Sequence, residues 1–301
     1  MILYRVKLFV IKLGMQVSNL RRHFLMHFFY ERTLCRKFKK RQGYELNLDN
    51  PQTYNEKLQW LKAYYHDPLL TRCADKVAVR SYVAEKIGEE YLTPVYGTYN
   101  SVNEIDLDAL PKEFVLKSNH ASGHVILCRD KSKMDWPKEF LKMEKWLMTN
   151  YFYTGGEWVY KDIKPQIICE QMHPGAIRDY KIVCFDGKPQ YLYVCVDRNA
   201  EIKITYLDLE FKQLPFKKAA PTSPTLEKPK NFEKMIELAG ILAKDFPFVR
   251  VDLYDIEDKI YFGELTFCPG SGFNPFIPEE WDLKIGKMMA FSNIKKEYVR
   301  L

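Results

Sequence analysis

Apolar residues at helical spacing define the first regular part of the chain. In "NEKLQWLKAYY", Leu58, Leu61 and Tyr65 fall on one helical face, and Asn55 stands where a capping residue is expected. The next run, "PLLTRCADKVAVRSYVAEKIG", predicts a second helix that ends at Gly88. Two further segments predict helices, a Lys- and aromatic-rich one and a strongly amphipathic one: 137–153 and 231–246.

Extended runs rich in β-branched and aromatic residues alternate with these helices. They lie at 113–130, 164–172, 179–198, 203–214 and 249–267. The run at 179–198 contains an Asp-Gly pair and predicts a hairpin. Because strands and helices follow one another without regular βαβ repetition, the sequence predicts an α+β fold.

Composition indicates a globular intracellular protein. The 301 residues suit one large or two modest domains, and 47% are apolar, enough for a sizeable core. The seven cysteines have no CxxC spacing, which is typical of reduced thiols and offers no zinc pattern. Charges interrupt the apolar N-terminus, and no run of about 18 apolar residues occurs. We therefore expect a cytoplasmic protein.

Positive charge is concentrated in residues 1–42. This segment has one acid, Glu31, and eleven bases: Arg5, Lys7, Lys12, Arg21, Arg22, Arg32, Arg36, Lys37, Lys39, Lys40 and Arg41. Its net charge is +10 against +7 for the whole chain, which leaves −3 for the remainder. An amphipathic helix there could pack on the body with a solvated basic face, or lie at the inner face of an anionic membrane. No nucleic-acid motif accompanies it, so nucleic acid is not expected as a partner.

Two carboxylates stand in apolar surroundings near the C-terminal end. Strand alternation places Arg250 and Asp252 on one face of their strand, and Glu264 and Thr266 on one face of the next. Buried carboxylates are costly unless they are compensated. The sequence predicts that Asp252, Glu264 and Thr266 hold Mg²⁺, which prefers carboxylate oxygens and nucleotide phosphates. The alternative is that Arg250 simply pairs with Asp252.

Two other groups suit a nucleotide. Lys117 ends a strand before a loop with Ser122 and Gly123, whose backbone N–H groups could approach phosphate oxygens; a surface hairpin with a solvated lysine explains it equally well. Glu170 ends an apolar strand, and Asp179 and Lys181 begin the next. These could face a ribose and an adenine edge, or form an exposed pair of little energetic value.

The pattern "RVD", then "ELT" and "PG", resembles the ATP-grasp superfamily, in which the D-alanine–D-alanine ligase branch has R-x-D … E-x-N-x-x-P-G. The positions in register are Arg250, Asp252, Glu264, Thr266, Pro269 and Gly270. Thr266 departs from the usual asparagine, which puts a second metal position in doubt.

The resemblance implies roles for earlier residues. Lys117 resembles the phosphate-binding lysine that precedes a flexible loop, and Glu170 resembles the acid beside the adenine. Asp179 falls where a ribose-binding acid lies. Lys76 or Arg80 would reach the nucleotide from the segment before the central domain.

From about Tyr44 to Asp282 the chain looks most like the TupA-like ATP-grasp proteins of surface-polysaccharide loci. This implies two α+β subdomains that grip ATP between them, after a helical basic extension. The expected divisions are an extension, a helical region, a central subdomain with the phosphate loop and a C-terminal subdomain with the metal: 1–42, 43–100, 101–168 and 169–301.

The implied activity is carboxylate–amine ligation through an acyl phosphate. Lys117 and Arg250 would be catalytic, and residues 270–272 would offer backbone N–H groups to the acyl oxygen. The implied partners are ATP, an amino acid or other amine, and a uronic-acid-type carboxylate on a glycan or lipid-linked saccharide.

Other function classes stay open at this point. A glycosyltransferase would need an acidic signature, for which Asp208 and Glu210 are the nearest candidates. An ATP-grasp phosphotransferase, or an idle ATP-binding scaffold, would share the fold and the nucleotide.

Overall fold

The computed structural model describes residues 26–175, 177–196, 202–218, 220–223 and 226–300, together with positions 14, 20 and 24. Most of the basic segment before residue 26 lies outside the described residues. The bases concerned are Arg5, Lys7, Lys12, Arg21 and Arg22. The role predicted for that part of the chain stays a prediction.

Helices flank two antiparallel sheets. The helices are α1 (Tyr30–Gln42), α2 (Tyr54–Tyr64), α3 (Pro68–Ala74), α4 (Val79–Ile87), α5 (Trp136–Leu147), α6 (Phe152–Gly155), α7 (Phe232–Ala243) and α8 (Glu280–Met288). The strands are β1 (Val95–Tyr99), β2 (Phe114–Ser118), β3 (Val125–Cys128), β4 (Ile167–Glu170), β5 (Arg178–Phe185), β6 (Lys188–Val196), β7 (Lys203–Leu207), β8 (Phe248–Ile256) and β9 (Lys259–Thr266).

The first sheet has the order β1-β4-β2-β3, and the second has the order β7-β6-β5-β8-β9. The pairings in both sheets are antiparallel. The predicted hairpin joins β5 to β6 through Asp186 and Gly187, whose φ angles of 47° and 79° suit a tight two-residue turn. The α+β prediction is confirmed.

Each sheet has its own core. Met143 and Trp146 of α5 pack with the buried face of the first sheet. The second sheet is covered by α7, and its core also takes side chains from α2, α3 and α4. Val249, Val251 and Leu253 of β8 lie in this core. The alternate residues of β8 therefore point to the opposite face, where the first sheet lies.

The start of α2 differs from the prediction. Thr53 is the capping residue: its hydroxyl accepts from the Glu56 backbone N–H at 3.1 Å, and Glu56 accepts from the Thr53 N–H at 3.0 Å. This reciprocal pattern satisfies two backbone donors at once. Asn55 lies inside the helix instead, where it is fully buried and its Nδ2 donates to Asp282 at 2.9 Å.

The helix predicted for 68–88 is interrupted. Its two parts are α3 and α4, and between them the Asp75 carboxylate accepts from the Val77 N–H at 2.8 Å. A short acidic side chain offers the backbone this alternative to helical hydrogen bonding. The segment predicted as one helix over 137–153 is likewise divided between α5 and α6.

The N-terminal helix α1 packs on the body. Leu34 and Phe38 are buried, and the Tyr30 hydroxyl donates to the Gly156 carbonyl at 2.6 Å. Five of its bases stay exposed: Arg32, Arg36, Lys39, Lys40 and Arg41. For residues 30–42 the structure therefore shows a packed helix with a solvated basic face. No helix in the described ranges is both long and apolar enough to cross a bilayer.

The first sheet extends beyond the division predicted for the central subdomain. Strand β1 ends at Tyr99, before position 101, and the proposed boundary at 168/169 falls inside β4. Strands β1 and β4 pair with each other. The predicted boundaries would assign these two paired strands to different subdomains. The other divisions stay predictions.

Two helical glycines provide a test of packing. A Cβ on Gly286 of α8 would lie 2.6 Å from Tyr54 N and 2.7 Å from Thr53 C, against the start of α2. We expect Gly286→Ala to lower the free energy of unfolding by about 1–3 kcal/mol, because backbone cannot move aside as a side chain can. Urea denaturation followed by circular dichroism measures the change.

The matched control is Gly240→Ala in α7, where the nearest atom would be Pro189 Cδ at an ordinary 3.5 Å. We expect this variant to gain roughly 0.5–1 kcal/mol, because alanine is the better helix former. Equal effects of the two substitutions would contradict the close approach of α8 and α2.

Candidate functional site

A bulge in the β8–β9 ladder aligns the polar residues of the two strands. Arg250 pairs with Thr266 and Asp252 with Glu264, but the next pair is Leu253 with Phe262, so Gly263 is an extra residue. A Cβ on Gly263 would approach the Asp252 carbonyl oxygen to 3.0 Å. The bulge places the four polar side chains on one face, as bulges near functional sites often do.

The Arg250 guanidinium connects this face. Its Nε donates to Asp252 Oδ1 at 2.6 Å, and its Nη2 donates to Asp252 Oδ2 at 2.7 Å. The same Nη2 lies 2.9 Å from Glu264 Oε1 and 2.8 Å from Thr266 Oγ1. Nη1 donates to the Tyr193 hydroxyl at 3.0 Å. Asp252 and Glu264 together raise the pKa of Arg250 against the effect of burial, which lowers it.

A second cation reaches Asp252 from β5. Lys181 pairs with Asp252 in the ladder, and its ammonium contacts Asp252 Oδ2 directly. It also lies 2.8 Å from Asp179 Oδ2. Asp179 and Asp252 are 1% exposed, so these pairs are formed away from water.

Arg250 and Lys181 therefore compensate Asp252 in this structure, and the Mg²⁺ site predicted there stays a prediction. The sequence assigned the compensation to Mg²⁺ and kept an Arg250–Asp252 pair as the alternative. The structure shows that pair and adds Lys181. The lysine was not foreseen as a counter-ion because it lies 71 residues away along the chain.

Glu264 differs from Asp252 in its surroundings. Its side chain is 31% exposed. Burial alone would raise the pKa of Glu264, but Lys76, Arg250 and Lys181 lower it from 4.5 to about 2. The carboxylate is therefore ionised at neutral pH, with Oε2 directed away from the guanidinium and 3.9 Å from Lys76 Nζ.

Some of these side chains suit a divalent cation as ligands, and others are occupied. Glu264 offers an ionised oxygen, Oε2, of the kind Mg²⁺ prefers, and the Thr266 hydroxyl donates to the other Glu264 oxygen, Oε1, at 3.1 Å. Both oxygens of Asp252 are occupied by Arg250 and Lys181. Lys181 also contacts Asp179, so it could leave Asp252 for a metal ion without losing its ion pair. Across the described positions, no group of three or more His, Cys, Asp or Glu is arranged to hold a metal ion.

A second cluster lies on the first sheet. Lys117 Nζ of β2 is 2.6 Å from Glu170 Oε2 at the end of β4, the neighbouring strand. Arg80 of α4 approaches the other Glu170 oxygen at 3.9 Å. Burial lowers the pKa of Lys117, but the charges of Glu170, Tyr254 and Glu264 raise it overall. Lys117 thus lies within electrostatic range of the second sheet.

Lys76 connects the two clusters. It lies between α3 and α4, and its backbone N–H donates to Asn119 O at 3.0 Å. Its ammonium donates to Ala121 O in the loop after β2 at 2.8 Å and approaches Glu264 at 3.9 Å. Lys76 therefore lies across the gap between the sheets, beside both the loop and the carboxylate.

The loop after β2 is open to solvent. Ser122 and Gly123 are exposed, Gly123 has a φ of +75°, and a Cβ added to it would meet no atom within 4 Å. Such a loop can change conformation over a ligand with little steric resistance. By contrast, the Ser271 N–H of the Pro269–Gly272 turn already donates to Cys268 O at 2.8 Å. The Ser271 N–H is therefore already paired, and the role predicted for the backbone N–H groups of residues 270–272 stays a prediction.

The acidic pair considered for a glycosyltransferase has a local role. Asp208 Oδ1 accepts from the backbone N–H groups of Glu210 and Lys212 at 2.9 and 2.8 Å, and Glu210 pairs with Lys212. These residues form the turn after β7.

The sequence did not indicate that residues 151–160 belong to the candidate site. The Tyr151 ring centroid lies 6.4 Å from that of His124 in the loop after β2 and 5.1 Å from that of Tyr160. Glu157 of the same segment contacts the Ser271 hydroxyl. The only signal was the density of aromatic residues in "YFYTGGEWVY", which has neither helical nor strand periodicity. Tyr193, the partner of Arg250, was also missed.

A family model described as TupA-like ATP-grasp matches residues 56–290. That span includes both sheets and both clusters. The chain belongs to the TupA-like ATP-grasp family. This membership does not support the glycosyltransferase alternative for Asp208 and Glu210.

Solved structures similar to this TupA-like ATP-grasp protein include other ATP-grasp enzymes. The D-alanine–D-alanine ligase of Helicobacter pylori is 15% identical, with a TM-score of 0.49 over 82% of this chain and 70% of that chain. The L-amino acid ligase of Bacillus licheniformis is 15% identical, with a TM-score of 0.48 over 80% of this chain and 55% of that chain. No curated protein matches the chain.

The Arg250 network in the TupA-like protein is expected to support the fold as well as the site. We expect Arg250→Met to lower the free energy of unfolding by about 3–5 kcal/mol, because it leaves buried Asp252 with one counter-ion fewer. Urea denaturation of the ligand-free protein measures this. The control is Arg129→Met, which removes an exposed arginine directly after β3. A loss no larger than that of the control would show that the network contributes little to folding.

Proposed function

We propose that this protein is an ATP- and Mg²⁺-dependent carboxylate–amine ligase that acts through an acyl phosphate. Membership of the TupA-like ATP-grasp family supports ATP as the substrate. The observation that carries the proposal is the gathering of Lys76, Lys117, Lys181 and Arg250 near one partly exposed carboxylate, Glu264. Such a cleft can neutralise a nucleotide polyphosphate and position it for transfer.

The first step transfers the γ-phosphoryl group of ATP to a substrate carboxylate oxygen. The bond between the γ-phosphorus and the bridging oxygen breaks, and ADP leaves with the electron pair. Lys117 and Lys76 would exchange their contacts with Glu170 and Ala121 for phosphate oxygens, and Arg80 would remain beside Glu170. The loop with Ser122 and Gly123 would close over the phosphates and exclude water, because an acyl phosphate hydrolyses.

The proposed metal ligands are Glu264, Thr266 and Asp252. Bound Mg²⁺ would neutralise phosphate charge and fix the geometry of the β- and γ-phosphates. Lys181 would release Asp252 and keep its contact with Asp179, so no carboxylate would lose all its counter-ions. Glu170 and Asp179 are the proposed contacts for the adenosine end of the nucleotide.

In the second step an amine attacks the acyl carbon, and inorganic phosphate leaves. Arg250 would stabilise the negative charge that develops on the acyl oxygen through the charge of its guanidinium. The Pro269–Gly272 turn would help to position the acyl group. Gln59 Nε2 and Lys62 Nζ hold this turn through the Ser271 carbonyl at 3.0 and 2.9 Å.

The proposed carboxylate belongs to a uronic-acid-type sugar of a surface polysaccharide, and the amine is an amino acid. The family resemblance supports this choice of substrate. A phosphotransferase of the same fold would keep the phosphate on its product, and an idle scaffold would bind ATP without turnover.

The test measures ADP release with glucuronate- and galacturonate-containing oligosaccharides and a panel of amino acids, with mass analysis of the product. We expect amine-dependent ADP and phosphate release and an amide product. Glu264→Gln should lower turnover by about 10²–10³-fold, because it removes the accessible charge at the phosphates. Glu113→Gln, an exposed residue beside β2, is the control.

Each outcome separates the candidate functions. A phosphorylated sugar with no phosphate release identifies a phosphotransferase. Nucleotide binding without ADP release across the panel indicates a scaffold. Full activity of Glu264→Gln would remove that residue from the metal site.

We further propose that the N-terminal part associates with an anionic membrane surface. Leu20, Phe24, Phe28 and Phe29 are 72%, 54%, 64% and 42% exposed, and they precede the exposed bases of α1. Aromatic side chains next to a basic helix face suit the interface of a bilayer with acidic lipids.

Co-sedimentation with vesicles tests this. We expect binding to phosphatidylglycerol-containing vesicles, weak binding to pure phosphatidylcholine, and a decrease with salt. The double variant Phe24→Ser, Phe28→Ser should lower the vesicle affinity about tenfold, because two apolar anchors are lost. Ile241→Ser changes an exposed apolar residue on α7 and is the control. Equal binding by the double variant and wild type would overturn the proposal.

A further inference from the structure

Glu157 lies at the edge of the cleft, on the segment that sequence analysis missed. It follows α6 and precedes the short turn Trp158–Tyr160, and it is 6% exposed. Its Oε1 accepts a hydrogen bond from the Ser271 hydroxyl. The adjacent Gly155 leaves room for this contact, because a Cβ there would lie 2.9 Å from Glu157 Oε1.

Glu157 lies near the proposed reacting groups, because its partner Ser271 belongs to the Pro269–Gly272 turn that follows Glu264 and Thr266 of β9. Its pKa responds to the charges of Arg250 and Glu264, and so does the pKa of Tyr160. The Tyr160 ring contacts the Tyr151 ring, whose centroid lies 6.4 Å from that of His124 in the loop after β2. The segment that contains Glu157 therefore contacts both that loop and the Pro269–Gly272 turn.

Its charge is compensated differently from that of the other cleft carboxylates. Glu170, Asp179, Asp252 and Glu264 each have a lysine or arginine nitrogen within 4 Å. Within the described part of the chain, Glu157 has no such ion pair.

Lys62, whose charge lowers the pKa of Glu157, makes its own contacts elsewhere. Lys62 Nζ donates to the Ser271 carbonyl at 2.9 Å and lies over the Phe273 ring, 4.2 Å from its centroid. Burial raises the pKa of Glu157, although the Ser271 hydroxyl and the charges of Lys62 and Arg250 oppose this. A nearly buried carboxylate without a partner cation is costly and suits an ammonium group from a ligand.

We propose that Glu157 binds the ammonium group of the amine substrate, an amino acid, and accepts the proton that this group must lose before it attacks. This inference rests on the proposed ligase function and adds the site of the second substrate. Ser271 orients the carboxylate through its hydroxyl.

The proton and bond balance is complete. The Glu157 carboxylate takes one proton from the substrate R–NH₃⁺ and frees the nitrogen lone pair. That lone pair forms the C–N bond to the acyl carbon, and the C–O bond to phosphate breaks with its electron pair on the phosphate. The nitrogen loses its second proton to the departing phosphate, and protonated Glu157 returns its proton to water.

A purely structural role makes a different prediction. If Glu157 only anchored the Pro269–Gly272 turn, loss of the Ser271 hydroxyl would have the same effect as loss of the carboxylate charge. If Glu157 binds the ammonium group, Ser271→Ala keeps that charge and most of the affinity. This pair of variants therefore separates the two roles.

The experiment uses the full chain with Mg²⁺ and the non-hydrolysable analogue AMP-PNP. Calorimetric titration with each of the twenty proteinogenic amino acids should identify at least one that binds the wild type. Glu157→Gln should weaken that binding about tenfold or more, as expected when a charge-assisted hydrogen bond is lost. Its AMP-PNP affinity should stay within about twofold of wild type, which also shows that it is folded. Glu113→Gln is the control.

The outcomes are distinct for the two proposals. If AMP-PNP does not bind the wild type, the proposed function fails. If AMP-PNP binds but no amino acid does, or if Glu157→Gln binds the amino acid as the wild type does, the inference about Glu157 is overturned. Equal weakening by Ser271→Ala and Glu157→Gln also overturns it in favour of a structural role.

Discussion

The Arg250 guanidinium is the interaction on which the site depends. Its planar fork meets Asp252 with two hydrogen bonds and reaches Glu264, Thr266 and Tyr193 with its remaining N–H groups. It thereby links β6, β8 and β9 on the face opposite the core. Without it, two carboxylates would face each other across a ladder pair with Lys181 as the main counter-ion. A lysine at this position could not make the same set of contacts, because it has a single donor nitrogen.

The cations of the cleft are paired with carboxylates before any nucleotide binds. Lys117 contacts Glu170, Lys181 contacts Asp252, and Lys76 lies near Glu264. Phosphate binding would replace these lysine–carboxylate contacts by lysine–phosphate contacts. The positive charge would already be present in the cleft before the phosphate binds. The exchange lowers the cost of keeping several cations close together in a poorly solvated place. It also ties the position of the first sheet to that of the second, because Lys76 contacts a loop of one and approaches a strand of the other.

Local pattern predicted much of the architecture, and the failures have specific causes. Alternation and the Asp-Gly pair predicted the β5–β6 hairpin and the β8 and β9 strands. The capping residue of α2 was misassigned because the Thr53–Glu56 pattern was overlooked in favour of Asn55. The break between α3 and α4 depends on a side chain, Asp75, that competes for backbone donors. Segment 151–160 has no periodicity, so its place over the cleft is fixed only by packing.

The sequence by itself determined which polar residues share a strand face, since the two-residue repeat of a strand puts Arg250 beside Asp252 and Glu264 beside Thr266. Its motifs also determined the family. Only the tertiary structure decided what compensates each carboxylate. That choice depends on the register between strands far apart in sequence, which brings Lys181 to Asp252 and, among the residues that the structure describes, leaves Glu157 without an ion-pair partner. Electrostatic compensation acts over a few ångströms in space, and separation along the chain carries no information about it.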